Sequence, residues 1–347
     1  MKIFYAVQAT GNGHISRAMT LLPYLQQYGE VDIFLSGDNA HLPLNGPVKY
    51  RSKGISLFYN CNGGLDYWEI TRKLSPIRIK CEIRDLPVEK YDLVLNDFDY
   101  ITSAACARKK IPSVHFGHQA SFYSANTPRP SSRSRAGEWV LTRFVKATAH
   151  TGYHFAKYDK GIFTPVLKKE ILEAVPLTEN HITIYLPSWC EAQLTPLLQS
   201  FTDHRFQVFS RETSIIREEK NIQFLPVDRD LFTRSMIGCA GIVCGAGFET
   251  PAEAIHLGKK MMCIPISGQY EQQCNAAALQ QMGIRCLPAI DAQFAQHFND
   301  WINDSTTAIK RDYSNSITDS LAYLFSLTPS LLQESVPSDA EETAALL

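Results

Sequence analysis

The stretch from Cys244 to Asn275, CGAGFETPAEAIHLGKKMMCIPISGQYEQQCN, constrains the fold more than any other. Ile242-Val243-Cys244 is a short apolar run that breaks at Gly245-Ala246-Gly247. Helical spacing holds over residues 249–257, and Gly258 is placed to stop that helix. Met261-Met262-Cys263-Ile264 is a second buried run, closed by Pro265, and residues 270–282 are helical again. A glycine turn between a strand and a helix faces backbone N–H groups and the helix dipole toward an anion, typically a phosphate. Glu253, Glu271, Gln272, Gln273 and Asn275 stand at element ends, where α/β folds bind ligands. A Gly-x-Gly turn alone serves packing as often as binding, so the weight rests on the whole string.

The same alternation runs through the rest of the chain. Residues 2–9 read as a central strand, 14–28 as a helix with Ala18, Leu21, Leu22 and Leu25 inward, and 31–35 as a second strand. Residues 49–51 and 55–59 read as short strands. Residues 91–96 form a buried strand, followed by a helix over 100–110 and a strand over 113–116. Residues 124–135, SANTPRPSSRSR, are rich in Pro, Ser and Arg and read as a loop. The spacing then predicts a helix over 136–150 with Trp139, Val140, Phe144 and Ala147 inward. After a linker near 165–180 come strands at 181–186, 206–209 and 222–224, helices at 191–201 and 230–237, and closing helices at 290–301 and 317–325. With 347 residues, 45% of them hydrophobic, the chain is long enough for two α/β units. We place them at 1–165 and 175–326, with an acidic tail over 327–347.

Nine cysteines without a C-x-x-C pair fit a reducing cytosol, with neither a zinc site nor a disulfide frame. The N-terminus reads as a first strand and not as a signal peptide, and no apolar run approaches membrane-spanning length. Residues 1–166 hold 21 Lys and Arg against 13 Asp and Glu, while the remainder holds 13 against 22. A basic half suits an anionic partner such as a lipid surface; solvation of helix faces is the plainer reading. The basic stretch 127–160 is where such a surface, or a phosphate-bearing acceptor, would meet Arg129, Arg133 and Arg135. Its aromatic residues form no stacking series, which argues against nucleic acid.

Gly11-Asn12-Gly13-His14-Ile15-Ser16-Arg17-Ala18 follows the first strand directly, at the carboxyl edge of its sheet. His14 opens the helix, where the dipole keeps an imidazole neutral and suited to general base work; a His that only caps the helix is the alternative. Asp97-Phe98-Asp99 spells Asp-x-Asp at the end of another strand. Asp99 is placed to cap the next helix, and Asp97 to orient His14, to bind an acceptor hydroxyl or simply to end the strand. His115, His118 and Gln119 follow a third strand and suit the acceptor side, with His118 as second candidate for the base. The two His lack a third ligand at zinc spacing.

These motifs together resemble the GT-B glycosyltransferases, including the lipid-linked N-acetylglucosamine transferase of peptidoglycan synthesis and the UDP-glycosyltransferases. The 244–275 string is similar to their donor signature, and 11–18 to their N-terminal glycine–histidine loop. The resemblance implies two Rossmann-like, doubly wound α/β domains facing across a cleft. It implies transfer of a hexosyl or N-acetylhexosaminyl group from a UDP-sugar to an acceptor hydroxyl, with no cofactor and no metal. Gly245, Ala246, Gly247, Phe248, Glu249 and Thr250 would hold the diphosphate, Glu253 the ribose, and Glu271-Gln272 or Gln272-Gln273 the sugar. Gly11, Asn12, Gly13, Arg17, His115 and Gln119 would face acceptor or phosphate, and the catalytic set would be His14, Asp97 and His118. Retaining members carry two Glu eight apart; that spacing from Glu249 and Glu253 meets Leu257 and Met261, so inversion is expected. A lipid-linked acceptor and a cytoplasmic place at the inner membrane face follow from the same likeness. Two rivals are a UDP-N-acetylglucosamine 2-epimerase, whose paired Glu-Glu and Arg-rich loop this chain lacks, and a non-enzymatic nucleotide-sugar binder.

Overall fold

The structure, a computed structural model, describes residues 1–9, 11–37, 44–55 and 75–334. The strand expected to continue through 56–59 and the tail beyond 334 lie outside the described residues. The first sheet gathers β1 (Lys2–Gln8), β2 (Glu30–Ser36), β3 (Val48–Ser52), β4 (Leu93–Asp97), β5 (Val114–Gly117), β6 (Ala149–Tyr153) and β7 (Ile162–Phe163). Their helices are α1 (Asn12–Leu25), α2 (Pro76–Asp85), α3 (Tyr100–Lys109) and α4 (Arg135–Arg143), with a 3₁₀ turn at His118–Tyr123. All neighbours are parallel, in the order β3-β2-β1-β4-β5-β6-β7. Central strands of such a sheet are covered on both faces, which is why β1 is an unbroken apolar run. Phe4 and Ala6 pack with Val94 and Ile101 on one side, and Ile3, Tyr5 and Val7 with Ile15 and Leu21 on the other.

A short helix α5 (Lys169–Leu172) leads into the second sheet. It holds β8 (Ile182–Tyr185), β9 (Phe206–Ser210), β10 (Arg217–Glu219), β11 (Ile222–Pro226), β12 (Gly241–Gly245), β13 (Met261–Ile264) and β14 (Arg285–Cys286). Its helices are α6 (Glu191–Gln199), α7 (Arg229–Gly238), α8 (Glu249–Leu257), α9 (Tyr270–Gln281) and α10 (Phe294–Asn303). The order is β10-β11-β9-β8-β12-β13-β14, parallel except for the edge pair β10–β11. Gly258 closes α8 at φ +68°, the left-handed conformation that a helix stop requires.

Three expectations are corrected. The helix over 136–150 ends at Arg143, because residues 149–153 form β6 beside β5. Trp139 and Val140 are not inward: they are 60% and 40% exposed, and Leu141 is the residue that packs. The last helix, α11 (Ser316–Glu334), runs through the start of the expected tail and crosses back onto the first sheet. Tyr153 donates to Ser320 Oγ at 2.9 Å, and the Tyr28 and Phe325 rings stack at 3.7 Å.

Candidate active site

In a doubly wound sheet, ligands bind where the strand order reverses, outside the carboxyl ends of the strands. That point lies between β1 and β4 in the first sheet and between β8 and β12 in the second. One cleft is lined by the loops that leave both points, with Gly11, Gly13 and His14 on one side and Gly245, Gly247 and Thr250 on the other. Neither α1 nor α8 has a side-chain cap, and the start of each helix lines the cleft at His14 and at Glu249 and Thr250.

His14 and Arg17 are three apart on α1 and therefore share a face that meets the end of β4. Asp97 is fully buried there and accepts from Arg17 Nη2 through both carboxylate oxygens at 2.9 Å. His14 Nδ1 lies 3.1 Å from Asp97 Oδ1 and 3.1 Å from Arg17 Nη2. A guanidinium only donates and a carboxylate only accepts, so the pairing that uses an Nδ1 proton is His14 to Asp97. Burial pushes the Asp97 carboxyl up, but Arg17 and His14 outweigh it and hold it at about 2. Asp97 is buried and does not line the cleft, so it is not placed to bind an acceptor hydroxyl. Arg17 also donates from Nη1 to Glu249 Oε1, tying α1 to α8 across the cleft. Burial, against the pull of Arg17, raises the Glu249 carboxyl to about 7.

His118 is a bridge rather than a free base. Its Nδ1 meets Tyr153 O at 2.8 Å, its Nε2 meets Asn275 Oδ1 at 2.9 Å, and its ring stacks on Phe248 at 3.9 Å. Asn275 donates from Nδ2 to Ala246 O at 3.1 Å, which pins the glycine turn from behind. Gln119 donates to Glu271 Oε2 at 2.9 Å, a further contact between the two units. His115 is overturned as an acceptor-side residue. It sits inside the sheet beneath Phe98 with no exposed surface, and burial lowers its imidazole to about 3.

On the second unit, Glu253 lines the cleft and pairs with Lys168 Nζ at 3.2 Å, both nearly buried. Gln272 Oε1 accepts from Ile266 N at 3.0 Å and closes the loop after β13. Glu271 and Gln272 line the cleft, and Gln273 is not among its lining residues. Ala246 is buried behind the turn, whereas Phe248, Glu249 and Thr250 face the opening, as do Asn12 and Gln119. Sequence reasoning missed Gln8, Lys168, Arg211 and Arg229, which also line it. It missed Gly117 too: a Cβ there would stand 2.2 Å from Asp97 Oδ1. The position of Gly117 at the end of a buried strand was the one available signal. Asp99 caps α3 by accepting from Thr102 N at 2.6 Å. Among the described residues no group of three or more His, Cys, Asp or Glu is arranged around a metal-sized site.

Comparison with known proteins supplies the family. No curated protein sequence matches the chain. Among solved structures it resembles the spinosyn forosaminyltransferase SpnP at 13% identity and TM-score 0.58, covering 95% of this chain and 99% of that one. It resembles Arabidopsis thaliana UGT89C1 in complex with quercetin at 10% identity and TM-score 0.61, covering 95% and 99%. It also resembles Acinetobacter baumannii MurG at 17% identity and TM-score 0.54, covering 94% and 99%. At these identities the likeness establishes the GT-B fold over nearly the whole chain. The sequence model described as glycosyl transferase family 1 matches residues 1–302, and the chain belongs to that family.

Proposed function

We propose that this glycosyltransferase moves a sugar from a UDP-sugar to an acceptor hydroxyl with inversion. The observation that carries the reading is the His14–Asp97 pair at one switch point, facing the glycine turn, Glu253, Glu271 and Gln272 at the other. With Nδ1–H donated to Asp97, the lone pair of His14 Nε2 takes the proton of the acceptor hydroxyl. The oxygen attacks the anomeric carbon as the bond to the diphosphate breaks, and the diphosphate leaves with the electron pair. The buried Asp97 carboxylate stabilises the imidazolium that forms. First-turn amides of α8 and its dipole meet the developing charge on the diphosphate. Glu253 receives the ribose hydroxyls, and Glu271 with Gln272 the sugar. Because the helix terminus supplies that stabilisation, turnover should persist in excess EDTA; loss restored by manganese or magnesium would contradict this.

The test is nucleotide release from a panel of nucleotide sugars, with and without hydroxyl acceptors. Acceptor-dependent release of UDP supports transfer. Conversion of the sugar without release would mean epimerisation, and binding without turnover would mean a sensor.

A further inference from the structure

Among the described residues, nothing covers the outer face of α4. Arg135, Trp139 and Arg143 stand at i, i+4 and i+8 and form one exposed stripe, with Val140 beside it. Trp139 is the most exposed aromatic among the described residues that carry large apolar side chains on helices of the first unit. Arg133 before the helix and Lys146 after it are exposed as well. Between residues 127 and 158 the only acidic residue is Glu138. It is turned inward, accepting from Arg129 Nε at 2.7 Å and from the Tyr270 hydroxyl at 2.6 Å. The charged side chains that α4 and its flanks turn outward are therefore all cationic, around an indole ring. An indole flanked by guanidinium groups suits the headgroup layer of a bilayer, where the ring enters the acyl boundary and the charges meet anionic lipid.

The inner face of α4 fixes where such a surface would hold the molecule. Leu141 packs with Phe122, Tyr270 and Cys274, and Gly137 lets the Tyr270 ring approach so closely that a Cβ would clash at 2.3 Å. The helix thus rests on the 3₁₀ turn that carries His118 and Gln119 and on α9 that carries Glu271 and Gln272. We propose that the Arg135–Trp139–Arg143 face of α4 docks the protein on an anionic lipid bilayer, holding the cleft at the membrane surface. No helix among the described residues is long and apolar enough to cross a membrane, so the contact is peripheral.

Co-sedimentation of the full chain with phosphatidylglycerol–phosphatidylcholine vesicles, against phosphatidylcholine alone, tests this directly. Binding should require the anionic lipid and weaken with salt. Arg135→Gln/Arg143→Gln should lower vesicle affinity about thirtyfold, the weight of two basic residues at an anionic surface. Brominated lipid should quench tryptophan fluorescence in the parent and much less in Trp139→Phe. All these side chains are exposed, so thermal unfolding and UDP-sugar binding should be unchanged, which separates this test from that of the transfer reaction. Equal binding to neutral vesicles, parent-like binding by the double variant, or preference for an RNA homopolymer over vesicles would overturn the proposal.

Discussion

Asp97 is positioned as much by a missing methyl group as by its partners. Gly117 lies beside it with extended backbone, and only the absence of a Cβ leaves room for the carboxylate. Gly117→Ala should displace Asp97 and with it the His14 ring. Steady-state kinetics should show kcat lowered about 10²-fold, the effect of an ångström of misplacement, with donor affinity retained. Unchanged kcat would mean that Asp97 does not orient the base. Glu249 gives a prediction about pH. Its folded pKa of about 7 stands above the ordinary carboxylate value of 4.5, so between those values the folded chain keeps a proton that the unfolded chain has released. Stability from this group therefore falls as pH rises through that window, by about 1–3 kcal/mol. Glu249→Gln should remove that slope, and thermal unfolding of variant and parent at pH 5 and pH 7.5 measures it. Parallel profiles would contradict the assignment. Asp97, held at about 2, acts in the opposite sense and only below its ordinary range.

The glycine turn and the helix after it form the element that the proposed leaving group would meet. A Cβ on Gly247 would find no atom within 4 Å, and the turn is not in the left-handed region. Gly247→Val should therefore fold normally and fill the space where a diphosphate would lie. Calorimetry should then show donor affinity lowered about tenfold or more, the loss of one hydrogen bond to a charged group. Parent-like affinity would place the diphosphate elsewhere. This element was fully legible in the sequence: the strand at 242–244, the helix at 249–257 and the strand at 261–264 match β12, α8 and β13 closely. Apolar runs, glycine stops and helical spacing are local signals. β6 was not legible, because Ala-His-Thr-Gly-Tyr carries no strand pattern and owes its conformation to pairing with β5. The facing of Trp139 and Val140 failed for a related reason. A short helix with apolar residues on both sides buries whichever its neighbours select, and Tyr270 and Phe122 select Leu141.

At the scale of the whole molecule, the two units meet through Arg17 and Glu249, His118 and Asn275, Gln119 and Glu271, and Glu138 and Tyr270. Each pair joins residues far apart in the chain, so a single sequence names the members without showing that they touch. His14, Asp97 and Glu249 were legible as residues at strand and helix ends; that Arg17 unites them was visible only in three dimensions. The proposed chemistry is a division of labour, with the base on the first unit and the donor on the second. It is tested most directly by measuring kcat and donor dissociation constant for His14→Ala and Glu253→Ala side by side. His14→Ala should lower kcat about 10²–10⁴-fold with donor affinity unchanged. Glu253→Ala should weaken donor binding by about 1–3 kcal/mol. A folded His14→Ala variant with normal kcat, or one whose main defect is in donor binding, would contradict it.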